Sequence, residues 1–222
     1  MHHLAVVVVA ALAAAVVGTA PTAPTSPDDS PKFSASISWL DKEIRELMIG
    51  RSWRRECPVP LRDLREVRLR HWGFDRHAHW GRLVVHRAWA PEIVDAFERI
   101  YRARFPIRKV RLVDRYGADD LRSMKDDNTS AFNCRWRAGQ PGVWSEHAYG
   151  RAIDVNPREN PYVVGDHVSP PAGRKYLDRS LRLKGMIHAD DAVRRAFTSI
   201  GWEWGGAWKR VKDYQHFSAT GR

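Results

Sequence analysis

The chain has 222 residues, 43% of them hydrophobic, which fits one globular domain of ordinary size, or at most two small ones, and excludes a wholly disordered protein. Its formal net charge is +11, and residues 1–27 hold no Asp, Glu, Lys or Arg, so all of that charge belongs to the remainder. Such a surplus suits polyanionic surroundings: nucleic acid, anionic membrane, or wall polymers rich in phosphate and carboxylate. A basic surface with no dedicated partner satisfies it equally.

The chain opens on an unbroken apolar run, Leu4 to Val17, too short for a comfortable membrane span and followed by the small residues Gly18-Thr19-Ala20. This pattern predicts a signal peptide over residues 1–20 and hence export. His2 and His3 are its only basic groups. Pro21 disfavours a cut directly after Ala20, so cleavage at Gly18 or Ala23, or an uncleaved anchor, are the alternatives. No cysteine lies near the cleavage region, which argues against a lipoprotein. Residues 21–35 are rich in Pro, Thr and Ser, cannot bury a core, and read as a disordered linker. The domain is then expected over residues 36–222.

Ile37, Leu40, Ile44, Leu47 and Met48 recur at helical spacing and predict a helix from Ser36 to Ile49, capped by Ser36 or Ser38 and stopped by Gly50. The only cysteines are Cys57 and Cys134. In an exported protein such a pair predicts one disulfide, and neither lies near a ligand motif. Between them, Gly81 to His86 reads as a strand. Pro91 opens a helix carrying Ile93, Val94, Phe97, Ile100 and Tyr101 on one side, ended before Pro106. A strand around Val110 and Leu112, a short helix from Asp119 to Lys125 and an extended piece from Thr129 to Cys134 follow. Asn160 to Gly173 is a Pro/Gly-rich loop long enough to border a cleft. Ala192 to Ile200 reads as a last helix stopped by Gly201, and Trp202–Trp204 with Tyr214–Phe217 as a closing pair of strands. The expected class is α+β, with helices on one side of a small, mostly antiparallel sheet.

The stretch Ser145-Glu146-His147-Ala148-Tyr149-Gly150-Arg151-Ala152-Ile153-Asp154-Val155-Asn156 sets a histidine and an aspartate seven residues apart. Alternation over Ala152–Val155 reads as a short strand, with Gly150 supplying the bend before it. His147 and Asp154 can then face one point. A nitrogen and a carboxylate oxygen are donors of the kind that hold zinc, but two donors make no site. Asp213-Tyr214-Gln215-His216 offers a third.

Ser-x-His-x-x-Gly-x-Ala-x-Asp followed by a distant Asp-x-x-His resembles the zinc D-alanyl-D-alanine carboxypeptidases and L-alanyl-D-glutamate peptidases of bacterial cell walls, the VanY-like family. Ser145, His147, Gly150, Ala152 and Asp154 fill the first motif, and Asp213 and His216 the second. The resemblance spans about Trp53 to Ser218 and implies the Hedgehog/DD-peptidase fold. It implies Zn2+ on His147, Asp154 and His216, three protein ligands that leave a fourth position open, the arrangement of a catalytic zinc. It further implies Asp213 as the base that takes a proton from water; the plainer reading is a carboxylate that only orients a histidine ligand. An arginine upstream of the first motif stabilises the oxyanion in that family. Arg135 is the first candidate and Arg115 the second, although among 37 basic residues most arginines simply face solvent. Ser145 either bonds substrate or holds the turn. Trp202, Trp204 and Trp208 either fill core or wall a groove, with Trp204 the best groove candidate because Gly205-Gly206 leaves the backbone open beside it.

The substrate implied is a peptidoglycan stem peptide, cut at D-Ala-D-Ala or at L-Ala-D-Glu. The Trp-Gly-Gly-x-Trp and Asp-x-x-His ending leans toward the latter. A monomer is expected, with anionic wall polymers as further partners and no specific nucleic acid. Two other classes compete. One is a non-hydrolytic zinc or wall-binding module on the same fold, against which the intact Asp213 and ligand set stand. The other is an exported nuclease, for which the chain shows neither a phosphate-reading motif nor a two-metal carboxylate cluster. His71, His77, His79, His86, His167 and His188 read as surface or core histidines, and His77-x-His79 as a solvated pair.

Overall fold

The computed structural model describes residues 31–221, and from Lys32 onward these form one compact unit. The predicted signal peptide and all but the end of the predicted linker lie outside the described residues. The structure is α+β, built from several small sheets. Among the described residues no helix is long and apolar enough to cross a membrane.

A meander of β1 (Ala35–Trp39), β2 (Leu64–Trp72) and β3 (Ala78–His86) forms the antiparallel scaffold. Period-two alternation gives β3 two apolar faces. Leu83 and Val85 point into one hydrophobic cluster, and Val84 between them into a second. Over the first face lies α2 (Ala90–Arg102), whose Ile93, Ala96, Phe97 and Ile100 repeat at three- and four-residue spacing and are all buried. Pro91 starts this helix where a missing N–H costs nothing. Arg99 and Arg102 meet the carbonyl end of its dipole.

The second face is covered by α1 (Lys42–Met48), through Ile44 and Met48, together with Phe132 and Cys134. The Sγ atoms of Cys57 and Cys134 are bonded, with Cα atoms 5.9 Å apart.

Two expectations are corrected. Ser36–Ile49 is not one helix: Ala35–Trp39 is a strand paired with β2, and Asp41, not a serine, caps α1 by accepting from the Ile44 N–H at 2.8 Å. Nor is there one sheet with helices on a single side, because α1 and α2 cover opposite faces of the meander.

The remaining elements surround the Ser145–Asn156 stretch. They are β4 (Lys109–Val110), α3 (Asp120–Lys125), β5 (Asn128–Thr129), β6 (Trp136–Arg137), β7 (Gln140–Trp144), β8 (Ala152–Asp154), β9 (Tyr162–Val164) and β10 (His167–Ser169). Then come α4 (Ala192–Thr198), β11 (Glu203–Trp204), β12 (Lys212–Asp213) and β13 (His216–Ser218). Strands run β11–β13–β8 in one sheet and β10–β9–β12 in another, while β4 pairs parallel with β5 and β6 forms a hairpin with β7. The loop expected at Asn160–Gly173 thus contains the β9–β10 hairpin. Phe197 of α4 stacks on Phe217 of β13 at 4.3 Å, which ties the second sheet to the helical core.

Candidate metal centre

The site grows from two neighbouring strands. In the β13–β8 pair, Phe217 faces Ile153, and both are fully buried in the core. One residue along, on the opposite face, His216 stands directly across from Asp154. His216 Nδ1 lies 3.0 Å from Asp154 Oδ1. On the other edge of β8, Ser130 pairs with Asp154 through backbone bonds of 2.9 and 3.1 Å. That pairing sets the next carbonyl, of Ala131, beside the third residue.

His147 sits in a 3₁₀ turn, Glu146–Tyr149, begun by Ser145, whose Oγ accepts from the His147 N–H at 3.4 Å. Gly150 ends the turn in the left-handed region, φ +66°, and a Cβ there would meet the His86 nitrogen at 2.6 Å. Glycine is therefore required on two counts. His147 Nδ1 lies 2.5 Å from the Ala131 carbonyl oxygen, to which it donates, so Nε2 is the nitrogen turned toward the other two residues. Nε2 lies 3.2 Å from Asp154 Oδ2 and 3.3 Å from His216 Nδ1.

One donor atom from each of His147, Asp154 and His216 thus lies within 4.8 Å of the others, and all three residues are buried. Two ligands at about 2.0–2.1 Å from a tetrahedral zinc stand about 3.3 Å apart. The 3.3 Å between His147 Nε2 and His216 Nδ1 matches that separation, each of these nitrogens has one Asp154 oxygen beside it, and the Ala131 carbonyl aims His147 as an outer partner of a metal ligand does. Burial works to raise the Asp154 carboxyl, but the charges and hydrogen bonds of His147 and His216 outweigh it and hold Asp154 well below the usual range.

The strand behind Asp154 is anchored by Asn156, fully buried and left-handed at φ +45°. Its side-chain amide donates to the Pro106 carbonyl at 2.8 Å and the Gly185 carbonyl at 3.3 Å, and its Oδ1 accepts from the Arg108 N–H at 3.0 Å.

The three donors open onto a cavity of about 490 Å³. Asp213 on β12 lines it. The residue is half-buried as a whole, yet its Oδ1 is enclosed and has no hydrogen-bond partner among the described residues. Burial raises the Asp213 carboxyl to about 6; the charge of His216 opposes this and that of Asp154 adds to it.

Arg135 also lines the cavity. Its Nη2 pairs with Asp120 at 2.9 Å, and its Nε is buried without a partner among the described residues. Arg115 is exposed in a 3₁₀ turn and does not line the cavity. Ser145 lines the cavity as well as holding the turn.

Trp204 does not line the cavity. It is 8% exposed, packs on Phe217 and donates its Nε1–H to the Tyr214 carbonyl at 2.8 Å. A Cβ at residue 206 would collide with its indole, so Gly206 makes room for the ring and not for a ligand. The aromatic wall is Trp208, with its ring 5.6 Å from that of His216. Sequence reasoning also missed Asp120, Arg137, Tyr162 and His167 as lining residues. For Tyr162 and His167 the signal was their place in the loop expected to border a cleft.

Residues 138–219 match a family model described as D-alanyl-D-alanine carboxypeptidase. No curated protein and no solved structure matches the chain.

Proposed function

We propose that this chain, whose residues 138–219 match the D-alanyl-D-alanine carboxypeptidase family, is an exported zinc peptidase acting on peptidoglycan stem peptides. The observation that carries the reading is the convergence of His147 Nε2, His216 Nδ1 and the Asp154 carboxylate on the wall of a cavity, beside an enclosed and unpartnered Asp213 oxygen. Two imidazole nitrogens and one carboxylate are a zinc donor set, three in number. Bound there, zinc supplies a Lewis acid and brings the pKa of a water down to about 7.

The protein's own groups supply the rest. Asp213 takes a proton from the attacking water and passes it to the leaving amine. Its enclosed Oδ1 has no partner among the described residues and is therefore open to a water proton. Arg135, held by Asp120, offers its unpartnered Nε–H to the oxyanion that develops on the scissile carbonyl. Trp208 gives the peptide an apolar wall and excludes water on that side. The Cys57–Cys134 bond agrees with an oxidising compartment, and the +11 charge with an anionic wall. We read the protein as a monomer that cuts either D-Ala-D-Ala or L-Ala-D-Glu.

The test is zinc analysis of the purified chain, with peptidoglycan digestion products read by mass spectrometry. The expected result is about one zinc per chain and peptide products from one of those two bonds. Zinc without any product points to a binding module, and no zinc overturns the reading.

A further inference from the structure

We propose that Arg137 reads a free carboxylate on the substrate peptide, where the active cleft joins a second cavity. The inference rests on the peptidase reading above. Arg137 is the inward residue of the short strand β6, whose neighbour Trp136 is 40% exposed and stacks on Trp144 across the hairpin. It lines both the cavity that holds His147, Asp154 and His216 and an adjoining one of about 540 Å³ walled by Trp144, Tyr149 and Arg151.

The arginines around this junction are paired off, with one exception. Arg135 is bonded to Asp120 at 2.9 Å. Arg151 is bonded to the buried Glu146, at 2.6 and 3.4 Å, and so neither that cation nor that acid is available to a ligand. Asp154 faces two imidazoles. Arg137 alone among the cations lining the two cavities has no acidic partner among the described residues.

A half-buried guanidinium in a cleft loses water when a peptide enters, and that loss is offset only by an anion. Its planar fork of N–H groups fits a carboxylate with two parallel bonds, which neither a carboxamide nor an apolar end group reproduces. Arg137 therefore selects peptides that carry a carboxylate within reach of the scissile bond. The aromatic second cavity takes what lies beyond it.

The experiment uses the full chain carrying Asp213→Asn, loaded with zinc, so that turnover is slow against the binding measurement. The probes are L-Ala-D-Glu-L-Lys-D-Ala-D-Ala and its forms with one carboxylate amidated at a time. We expect one of these amidations to weaken binding by about 10- to 100-fold, the range of a charged hydrogen bond. Arg137→Gln should weaken the parent peptide similarly and abolish sensitivity to that amidation, while Arg137→Lys recovers part of the loss. Such non-additivity marks a direct contact and not a general loss of structure. If Arg137→Gln binds the parent within about twofold, or loses acid and amide forms equally while unfolding at the same temperature, the assignment to Arg137 is overturned and the peptidase reading stands. If no peptide binds with Arg137 intact, the peptidase reading falls and this inference with it.

Discussion

His216 and Asp154 are cross-strand partners, directly opposed in the antiparallel pair of β13 and β8, with Nδ1 and Oδ1 3.0 Å apart. Their spacing is set by a ladder whose next rung, Phe217 against Ile153, is buried in the core. The two donors are therefore positioned before any ion arrives, so little ordering entropy opposes binding. His147 reaches the same point from a turn, guided by the Ala131 carbonyl.

The two carboxylates of the site should separate by mutation. Asp154→Ala removes a zinc donor and should lose both metal and activity. Asp213→Asn is nearly isosteric and removes only the proton acceptor. It should keep about one zinc while turnover falls by a factor of about 10² to 10⁴. Zinc content and rates of both variants decide this. Loss of zinc from Asp213→Asn shows that the ligands are misassigned, and retained activity shows that the base lies elsewhere.

Gly150→Ala tests the turn that carries His147. The left-handed backbone costs a non-glycine residue about 1–2 kcal/mol, and the new Cβ also presses on the His86 nitrogen. The variant should be less stable by at least that amount and bind zinc more weakly, because the turn must shift and His147 moves with it. Thermal unfolding and a zinc titration check both parts, and an unchanged zinc affinity counts against the coupling.

Removing the disulfide should cost stability without removing the metal. Cys57 and Cys134 are 77 residues apart, and closing a loop of that length stabilises by about 4 kcal/mol on the chain-entropy account. The Cys57→Ser, Cys134→Ser double variant should therefore unfold at markedly lower denaturant while the folded fraction still holds zinc. Chemical denaturation with metal analysis reads both.

A pH dependence should arise from a buried carboxyl outside the three-donor centre. Glu159 is buried beside Asp127, and its Oε1 lies 3.4 Å from Arg108 Nη2 and accepts from the Tyr176 hydroxyl at 3.1 Å. Burial first, and the neighbouring Asp127 next, raise the Glu159 carboxyl from 4.5 to about 7. The folded protein thus holds a proton that the unfolded chain has released, so this group lowers stability as pH rises from about 4.5 to about 7. Glu159→Gln should flatten that slope. It should be more stable than the parent at pH 8, by at most on the order of 3 kcal/mol, and similar to it at pH 4. A difference that does not change with pH removes Glu159 as the cause.

Where a stretch's fate depends on residues close in sequence, the chain could be read directly. The alternation over Ala152–Val155, the turn at Gly150 and the apolar spacing of α2 are local, and each reappears as strand, turn or helix. Ser36–Ile49 carried two periodicities at once. Helical spacing of Ile37, Leu40 and Ile44 competed with the alternation Ser36-Ile37-Ser38-Trp39, and pairing with a distant strand decided the outcome. Nothing local distinguishes Arg137 or Asp120 from the other charged residues, because their place in the cleft comes from how hairpin and helix pack. Trp204 misled because two glycines beside an indole look like open backbone, whereas one of them is filled by the ring itself.

Asn156 bears on whether this centre is portable. It touches Pro106, Arg108 and Gly185, segments 50, 48 and 29 residues away in the chain, and it does so in a left-handed conformation that asparagine tolerates better than most residues. A designer who grafts Ser145–Asn156 and the Asp213–His216 segment onto another scaffold transplants the donors without what holds them. Unless the host also offers two carbonyls and an N–H to that amide, the graft should bind zinc loosely. The smallest unit that can be moved intact is close to the whole domain.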